Sequence, residues 1–396
     1  MDEKESKKSI LRDYIDITHG FGFKGEFFTE HKTENILLTP GNFQIGGGFN
    51  GEKLKYYEGP INEKFILNPE DIIITMTDLS KMGDTLGYPA FVPKLENNKF
   101  LHNQRLGKII IKTPEKIDKK FLYYFLCTYQ YRSHVIGSST GTTVKHTSPD
   151  RILEIPFECP LIEIQKKIGN HLYSLDLEIF TLKKQNDVLE KIIQTIFKSW
   201  FIDFDGQTEF IDSEFGKIPK GWKIEQLNDH CNIVTGKLNS NASIDNGNYL
   251  FFTCAKENYR TNTYSYDCEA ILLAGNNAVG DFSVKYFSGK FDAYQRTYVI
   301  TVKKSSKIGY AFILNSIERS LQHLQSISYG TVTKYLTMSI LKPFPLLISD
   351  EKTIQKFNEV TNPILDKIIK NQTELEQLLK TRDVLLPKLM SGQIKV

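Results

Sequence analysis

Residues 161–200 read LIEIQKKIGNHLYSLDLEIFTLKKQNDVLEKIIQTIFKSW. From Leu172 onward, core-type positions recur at steps of three and four: Leu172, Leu175, Ile179, Leu182, Asn186, Leu189, Ile193, Ile196, Trp200. That heptad spacing makes a narrow seam facing one partner helix, tighter than the broad stripe of a helix lying on a globular core. Asn186 fits the seam reading, because a single amide there is satisfied in one register and left bare in others. The partner is expected in residues 354–389, where Ile364, Leu365, Ile368, Ile369, Leu375, Leu378, Leu379, Leu385, Leu386 and Leu389 form an apolar stripe.

Working outward, the order of features before the first helix recurs before the second. Residues 71–77 (DIIITMT) are a β-branched strand, followed by Gly83-Asp84, the polar knot His102-Asn103-Gln104-Arg105, a strand at 108–112 and an aromatic helix at 121–131. A hydroxyl-rich loop, Ser138 to Lys145, then precedes Ile155-Pro156. In the second half residues 270–274 form a strand, followed by Asn276-Asn277, Gly280-Asp281, Tyr294-Gln295-Arg296, a strand at 298–303, a helix at 309–316 and the loop Ser328 to Lys334. Gln104-Arg105 aligns with Gln295-Arg296, and Gly141-Thr142 with Gly330-Thr331. Each long helix also shows an interruption near its start, Gly169-Asn170 and Asn362-Pro363. The chain therefore reads as an α+β tandem duplication, a globular α/β domain followed by a long helix, with the two helices pairing antiparallel as a coiled-coil spacer. The expected segments are residues 1–158, a first globular domain; 159–203, the central helix; 204–217, a Gly- and acid-rich linker; 218–347, a second globular domain; and 348–396, the terminal helix.

A chain of 396 residues exceeds one ordinary core. It holds no apolar run long enough to span a membrane, and its first residues, MDEKESKKSI, are unlike a secretory signal. The five cysteines form no CxxC pair and no metal-type spacing with histidine, which suggests reduced thiols in the cytoplasm. Net charge is only +3, but residues 99–151 carry ten basic against three acidic residues, and residues 285–342 nine against two. Two basic windows at similar places in the repeat suggest two polyanion-facing surfaces; solvated charge on ordinary surfaces is the alternative.

Catalytic motifs are missing. There is no Gly-Lys-Ser/Thr phosphate loop, no Asp/Asn-Pro-Pro-Tyr/Phe motif, no HExxH, and Asp150 with Glu154 lacks the lysine of a nuclease site. Binding chemistry is present twice. Hydroxyls and Lys in a glycine loop donate to phosphate oxygens, and adjacent Gln and Arg reach base edges, Gln to adenine and Arg bidentate to guanine. The expected DNA-facing set in the first half is Asn42, Gln44, Gly46, Gly47, Thr75, Thr77, Lys81, Gln104, Arg105, Thr140, Thr142, Thr143 and Lys145. In the second half it is Asn276, Asn277, Tyr294, Gln295, Arg296, Tyr329, Thr331, Thr333 and Lys334. The helix seam is expected at Leu175, Ile179, Leu182, Asn186, Leu189, Ile193, Ile368, Leu375, Leu378 and Leu385.

Several stretches together resemble the specificity (S) subunits of type I restriction–modification systems. They are residues 38–43 with Gly46-Gly47-Gly48, residues 71–81, residues 83–89, Leu101 to Arg105, residues 197–204 and residues 386–392. The resemblance covers essentially the whole chain. It implies a non-catalytic subunit that reads a split DNA target through two recognition domains, with the helices as a ruler between them. It also implies two modification (M) subunits bringing adenine methylation from S-adenosylmethionine, and restriction (R) subunits bringing ATP- and Mg-dependent nuclease and translocation; this chain itself would hold no cofactor and no metal. The second half lacks the triple glycine, having Asn246-Gly247 and Asn276-Asn277 instead, so an asymmetric target is expected. Two rival readings are a coiled-coil adaptor that binds no DNA and a fused nuclease or methyltransferase.

Overall fold

The computed structural model describes residues 9–95, 97–214, 216–245, 247–277, 282–330 and 334–396. Two compact units emerge: Met1–Phe180 with Gln377–Val396, and Thr181–Glu376. The two long helices, Ile162–Phe201 and Glu351–Met390, are each 40 residues and contribute to both.

In the first unit a four-stranded antiparallel sheet has the order Ile15–His19, Leu106–Ile111, Ile72–Thr75, Pro89–Phe91. A second sheet of five short strands holds the parallel pair Asn35–Leu38 and Lys99–His102. The strand Ile72–Thr75 is buried at every residue: Ile72 and Ile74 join the cluster of Leu11, Ile15, Phe121 and Tyr131, and Ile73 the cluster of Ile36, Leu38 and Phe100. A strand covered on both faces has no polar side to show, which is why it reads as an uninterrupted β-branched run. The aromatic segment is two helices, Lys119–Phe125 and Tyr129–Gly137, where one was expected at 121–131. The Thr128 hydroxyl accepts from Tyr131 N at 3.3 Å and so starts a new helix at that point. Ile168, Leu172 and Leu389 close this core from the long helices, and Asp176 accepts from Arg382 Nη1 at 3.2 Å. The seam residues Leu175, Leu378 and Leu385 are half-buried here and Ile179 is buried.

The second unit repeats the arrangement in part, without counterparts of the strands Phe28–Thr29 and Ile66–Leu67 among its described residues. Its six-stranded sheet has the order Cys231–Thr235, Thr297–Val302, Tyr266–Ala274, Val284–Ala293, Tyr249–Phe252, Tyr259–Thr261. The pairing of Ile15 with Ile111 is matched by Cys231 with Val302, and the parallel pair of Ile36 with Phe100 by Leu250 with Phe291. Where the first unit breaks its chain into Pro89–Phe91 and Lys99–His102, the second runs one ten-residue strand through Gly289, so one sheet replaces two. Within this unit the helices run antiparallel: Asn186 faces Asn371, and Phe201 packs on Phe357 with ring centroids 5.0 Å apart. Leu182, Ile193 and Ile368 are buried, and Leu189 and Leu375 half-buried. A hairpin, Phe210–Ser213 paired with Gly216–Pro219, begins in the expected linker and runs two residues past its end.

Gly169-Asn170 and Asn362-Pro363 do not interrupt the helices, which run through both. At Gly169 a Cβ would stand 2.8 Å from Asp118 Oδ1 and from Phe121 N, so the glycine permits a close approach to the capped start of helix Lys119–Phe125. Pro363 removes only one N–H from a helix already held by its buried neighbours Thr361 and Leu365.

The seam amides make a testable unit. Asn371 Nδ2 donates to Asn186 Oδ1 at 2.9 Å, and both side chains are buried. Replacing Asn186 with Leu removes that acceptor and is expected to cost about 1–3 kcal/mol in the urea unfolding of the chain. The double replacement N186L/N371L is expected to recover that loss, since it buries no bare amide, while admitting alternative helix registers visible as mixed species in sedimentation.

Candidate nucleic-acid interface

In each unit the Gln-Arg turn and the glycine hairpin are joined through one residue. In the first, Met76 N donates to Arg105 O at 2.9 Å and Met76 O accepts from Thr147 N at 3.0 Å. In the second, Gly275 N donates to Arg296 O and Gly275 O accepts from Leu336 N, both at 2.8 Å. Each turn is also tied to the segment just past a neighbouring strand, by Gln104 N to Phe21 O and by Gln295 N to Leu238 O, both 2.9 Å. Glycine is required beside each turn. A Cβ on Gly20 would lie 2.2 Å from His102 O, and one on Gly236 2.2 Å from Ala293 O. The result is a fixed backbone from which Gln104, Arg105, Gln295 and Arg296 stand exposed.

The two hairpins match at their described residues. Thr140 bridges His146 across Gly141, and Tyr329 bridges Tyr335 across Gly330; both glycines have positive φ, +94° and +98°. A Cβ on Gly141 would fall 1.9 Å from Val144 O, so the turn is closed to other residues. Thr140, Thr142 and Thr143 are exposed with Lys145 half-buried behind them, and Thr140 Oγ1 accepts from Arg151 at 3.3 Å. In the second unit Tyr329 and Tyr335 are exposed rings 5.9 Å apart, and Lys334 is half-buried. Tyr335 and Leu336 join Thr235, Gly275, Gln295, Arg296 and Tyr298 around a cleft of about 330 Å³. Thr331 and Thr333 lie outside the described residues, as do Asn246, Gly280 and Asp281.

Other expected contacts lie inward. Asn42 is buried: its Oδ1 accepts from Thr39 N at 2.9 Å and its Nδ2 donates to Asn50 O and Lys53 O at 3.1 Å. Thr75 Oγ1 donates to Thr85 O at 2.5 Å, and buried Thr77 meets His146 Nδ1 at 3.2 Å. These three side chains are committed to the fold. The glycine loop is also partly committed. Gln44 Nε2 donates to Phe49 O, Gly47 N donates to Gln44 O, and Gly48 N donates to Pro89 O. A Cβ on Gly47 would sit 2.6 Å from Cys127 Sγ, so this glycine serves packing. Gly46 is exposed at the turn, and Lys81 is exposed on the loop after Asp78. Asn276 and Asn277 are half-buried in a short strand paired with Lys334–Tyr335.

The basic windows overstate the free charge. Lys108 Nζ is 2.6 Å from Asp71, Lys99 is 3.0 Å from Glu34, and Arg132 donates to the carbonyls of Gly83 and Leu86 while lying over the Tyr88 ring. The sequence reading counts Arg132 only toward the basic window, and passes over Asn371. Asn371 was findable, being three residues beyond Ile368 and four before Leu375 in the same heptad phase. Among the described residues no His, Cys, Asp or Glu cluster could hold a metal ion, and no helix is long and apolar enough to cross a membrane.

A family model described as a type I restriction modification DNA specificity domain matches residues 33–191 and again 219–382. A specificity subunit of the MjaIX type I restriction enzyme of Methanocaldococcus jannaschii is 28% identical over 336 residues, covering 78% of this chain and 76% of that protein. The EcoDI specificity subunit of Escherichia coli is 31% identical over 183 residues, 45% of this chain and 40% of its own length. The crystal structure of a type I restriction–modification S subunit from M. genitalium shares the fold at a TM-score of 0.59 and 17% identity, over 98% of both chains.

His102 supplies a check on the first turn. Its ring is buried beside Leu106 O at 3.0 Å, and burial, aided by Lys108, lowers its pKa from 6.5 to about 4. The fold therefore holds a neutral ring that the unfolded chain protonates first. Its contribution is complete above pH 6.5 and is lost as pH falls toward 4, by about 3 kcal/mol in all. Urea midpoints at pH 7 and pH 4.5 are expected to diverge less in H102Q than in the parent.

Proposed function

This chain belongs to the family of type I restriction–modification DNA specificity subunits, and on that premise we propose that its two Gln-Arg turns read the two halves of a split, unequal DNA target. The observation that carries the reading is the repeated join. In both units one residue, Met76 or Gly275, ties the turn bearing Gln and Arg to the hairpin bearing hydroxyls and Lys. Phosphate donors and base-reading side chains are thus held at a fixed spacing, as register-dependent reading of a duplex demands. Gln104 with Arg105, and Gln295 with Arg296, face base edges. Thr140, Thr142, Thr143 and Lys145 in one unit, and Lys334 in the other, face the backbone, with Lys81 and the exposed turn at Gly46 beside the first set.

The halves are unequal in chemistry as well as sequence. The first hairpin pairs Thr140 with His146, while the second pairs Tyr329 with Tyr335, offering two stacking faces in place of a hydroxyl and an imidazole. The chain itself carries out no chemistry. Methyl transfer from S-adenosylmethionine belongs to two modification subunits, and ATP- and Mg-dependent restriction to further subunits, acting in the cytoplasm on double-stranded DNA.

The deciding experiment maps methylated adenines by long-read sequencing in cells carrying this gene and its partner methyltransferase, with and without the gene. A split motif that vanishes with the gene is expected; an unchanged methylome would overturn the reading. In that assay R105A is expected to relax one half of the motif and R296A the other, each by about 1–3 kcal/mol of discrimination. Equal relaxation of both halves by either variant would reject the assignment of one turn to each half.

A further inference from the structure

The loop that follows strand Thr77–Asp78 in the first unit is locked in shape and yet displays two large apolar side chains. Asp78 is buried and organises it. Its Oδ1 accepts from Ser80 N at 2.7 Å, and its Oδ2 from Thr85 N at 2.5 Å and Thr85 Oγ1 at 2.7 Å. Inside that bracket Asp84 N donates to Ser80 Oγ at 2.7 Å and Gly83 N to Ser80 O at 3.1 Å, with Gly83 at φ +68°. The Arg132 guanidinium holds the far side through the carbonyls of Gly83 and Leu86. Despite this anchoring, Leu79 is 68% and Met82 78% exposed, with exposed Lys81 between them.

A rigid loop loses little entropy when it docks. Its position says where. Asp78 is paired with Lys145 and Thr77 with His146, so the loop abuts the hydroxyl hairpin, and a Cβ on Gly83 would lie 3.4 Å from Lys145 Cγ. Two side chains fall far short of the roughly 800 Å² per partner that a stable protein interface buries. They match instead the apolar wedges, leucine and methionine among them, that enter a duplex at one base step and unstack it. Lys81, placed between two such residues, can meet a phosphate at the opened step. We infer that Leu79 and Met82 form an apolar wedge that enters the DNA at one base step of the half-site read by the first unit. This rests on the DNA-reading function proposed above.

The test uses the full chain assembled with its methyltransferase partner and the duplex defined by methylated-adenine mapping. 2-Aminopurine replaces, one at a time, each base of the first half-site except the methylated adenine, and its fluorescence is read on binding. With the parent complex one position is expected to brighten severalfold. In L79A/M82A, which truncates only exposed side chains, that brightening is expected to disappear and affinity to fall roughly ten- to hundredfold, with the salt dependence of binding unchanged. K81A is expected to keep the brightening and to lower the slope of log affinity against log salt by about one. Tight binding with no bright position, or brightening that survives in L79A/M82A, overturns the wedge and leaves the DNA-reading function standing. Loss of the methyltransferase from L79A/M82A, with brightening per bound complex intact, assigns the loop to a protein partner and likewise overturns the wedge. A parent complex that binds no duplex overturns both.

Discussion

Everything that can be read from either unit depends on a pair of backbone hydrogen bonds made by one residue. Met76 and Gly275 each give their N–H to the carbonyl of the arginine in the turn and take an N–H from the residue that ends the hairpin. Both groups of that residue are thereby satisfied away from any sheet ladder, as burial requires. The Cβ that Gly275 lacks would lie 2.3 Å from Arg296 O, whereas the first unit tolerates Met76 at the same place, its side chain buried in the core that holds Ile74 and Ile109. The same join therefore accepts two very different residues, and the surfaces beside it have diverged without disturbing it.

The duplication and the helix seam were legible in the sequence because both are patterns of order and spacing. Gln104-Arg105 and Gln295-Arg296, and the glycine loops that follow each pair, recur with their neighbours in sequence, and the seam needs only its three-four step. What the sequence could not settle was which polar side chains face outward. Ile72, Ile73 and Ile74 are all buried, so no alternation marks an outer face on which Thr75 and Thr77 could be placed. Asn42 reads as a donor to a ligand and proves to be the brace of its own turn, since a short amide next to a tight turn finds backbone partners first. Charge misled in the same way. Arg132 belongs to the count that made residues 99–151 basic, yet its guanidinium is taken up by two carbonyls and a tyrosine ring.

Seam polarity and site polarity follow one rule at different scales. Buried Asn186 with Asn371, and buried Asp78 with half-buried Ser80 and Thr85, make hydrogen bonds that form only in one geometry. Each sacrifices apolar contact to exclude alternatives, a helix register in one case and a loop conformation in the other. The exposed chemistry is thereby carried on parts that do not drift.

The first unit is assembled from both ends of the chain, residues up to Phe180 together with Gln377–Val396. Leu389 is buried in its core, with Leu385, Leu386 and Met390 packed alongside. On the ribosome that core must wait, its apolar slot open, while almost two hundred further residues are made. The second unit is one continuous segment and can close as soon as it emerges. The part synthesised first is thus the part completed last, and the interval between is when the nascent chain most needs protection from aggregation.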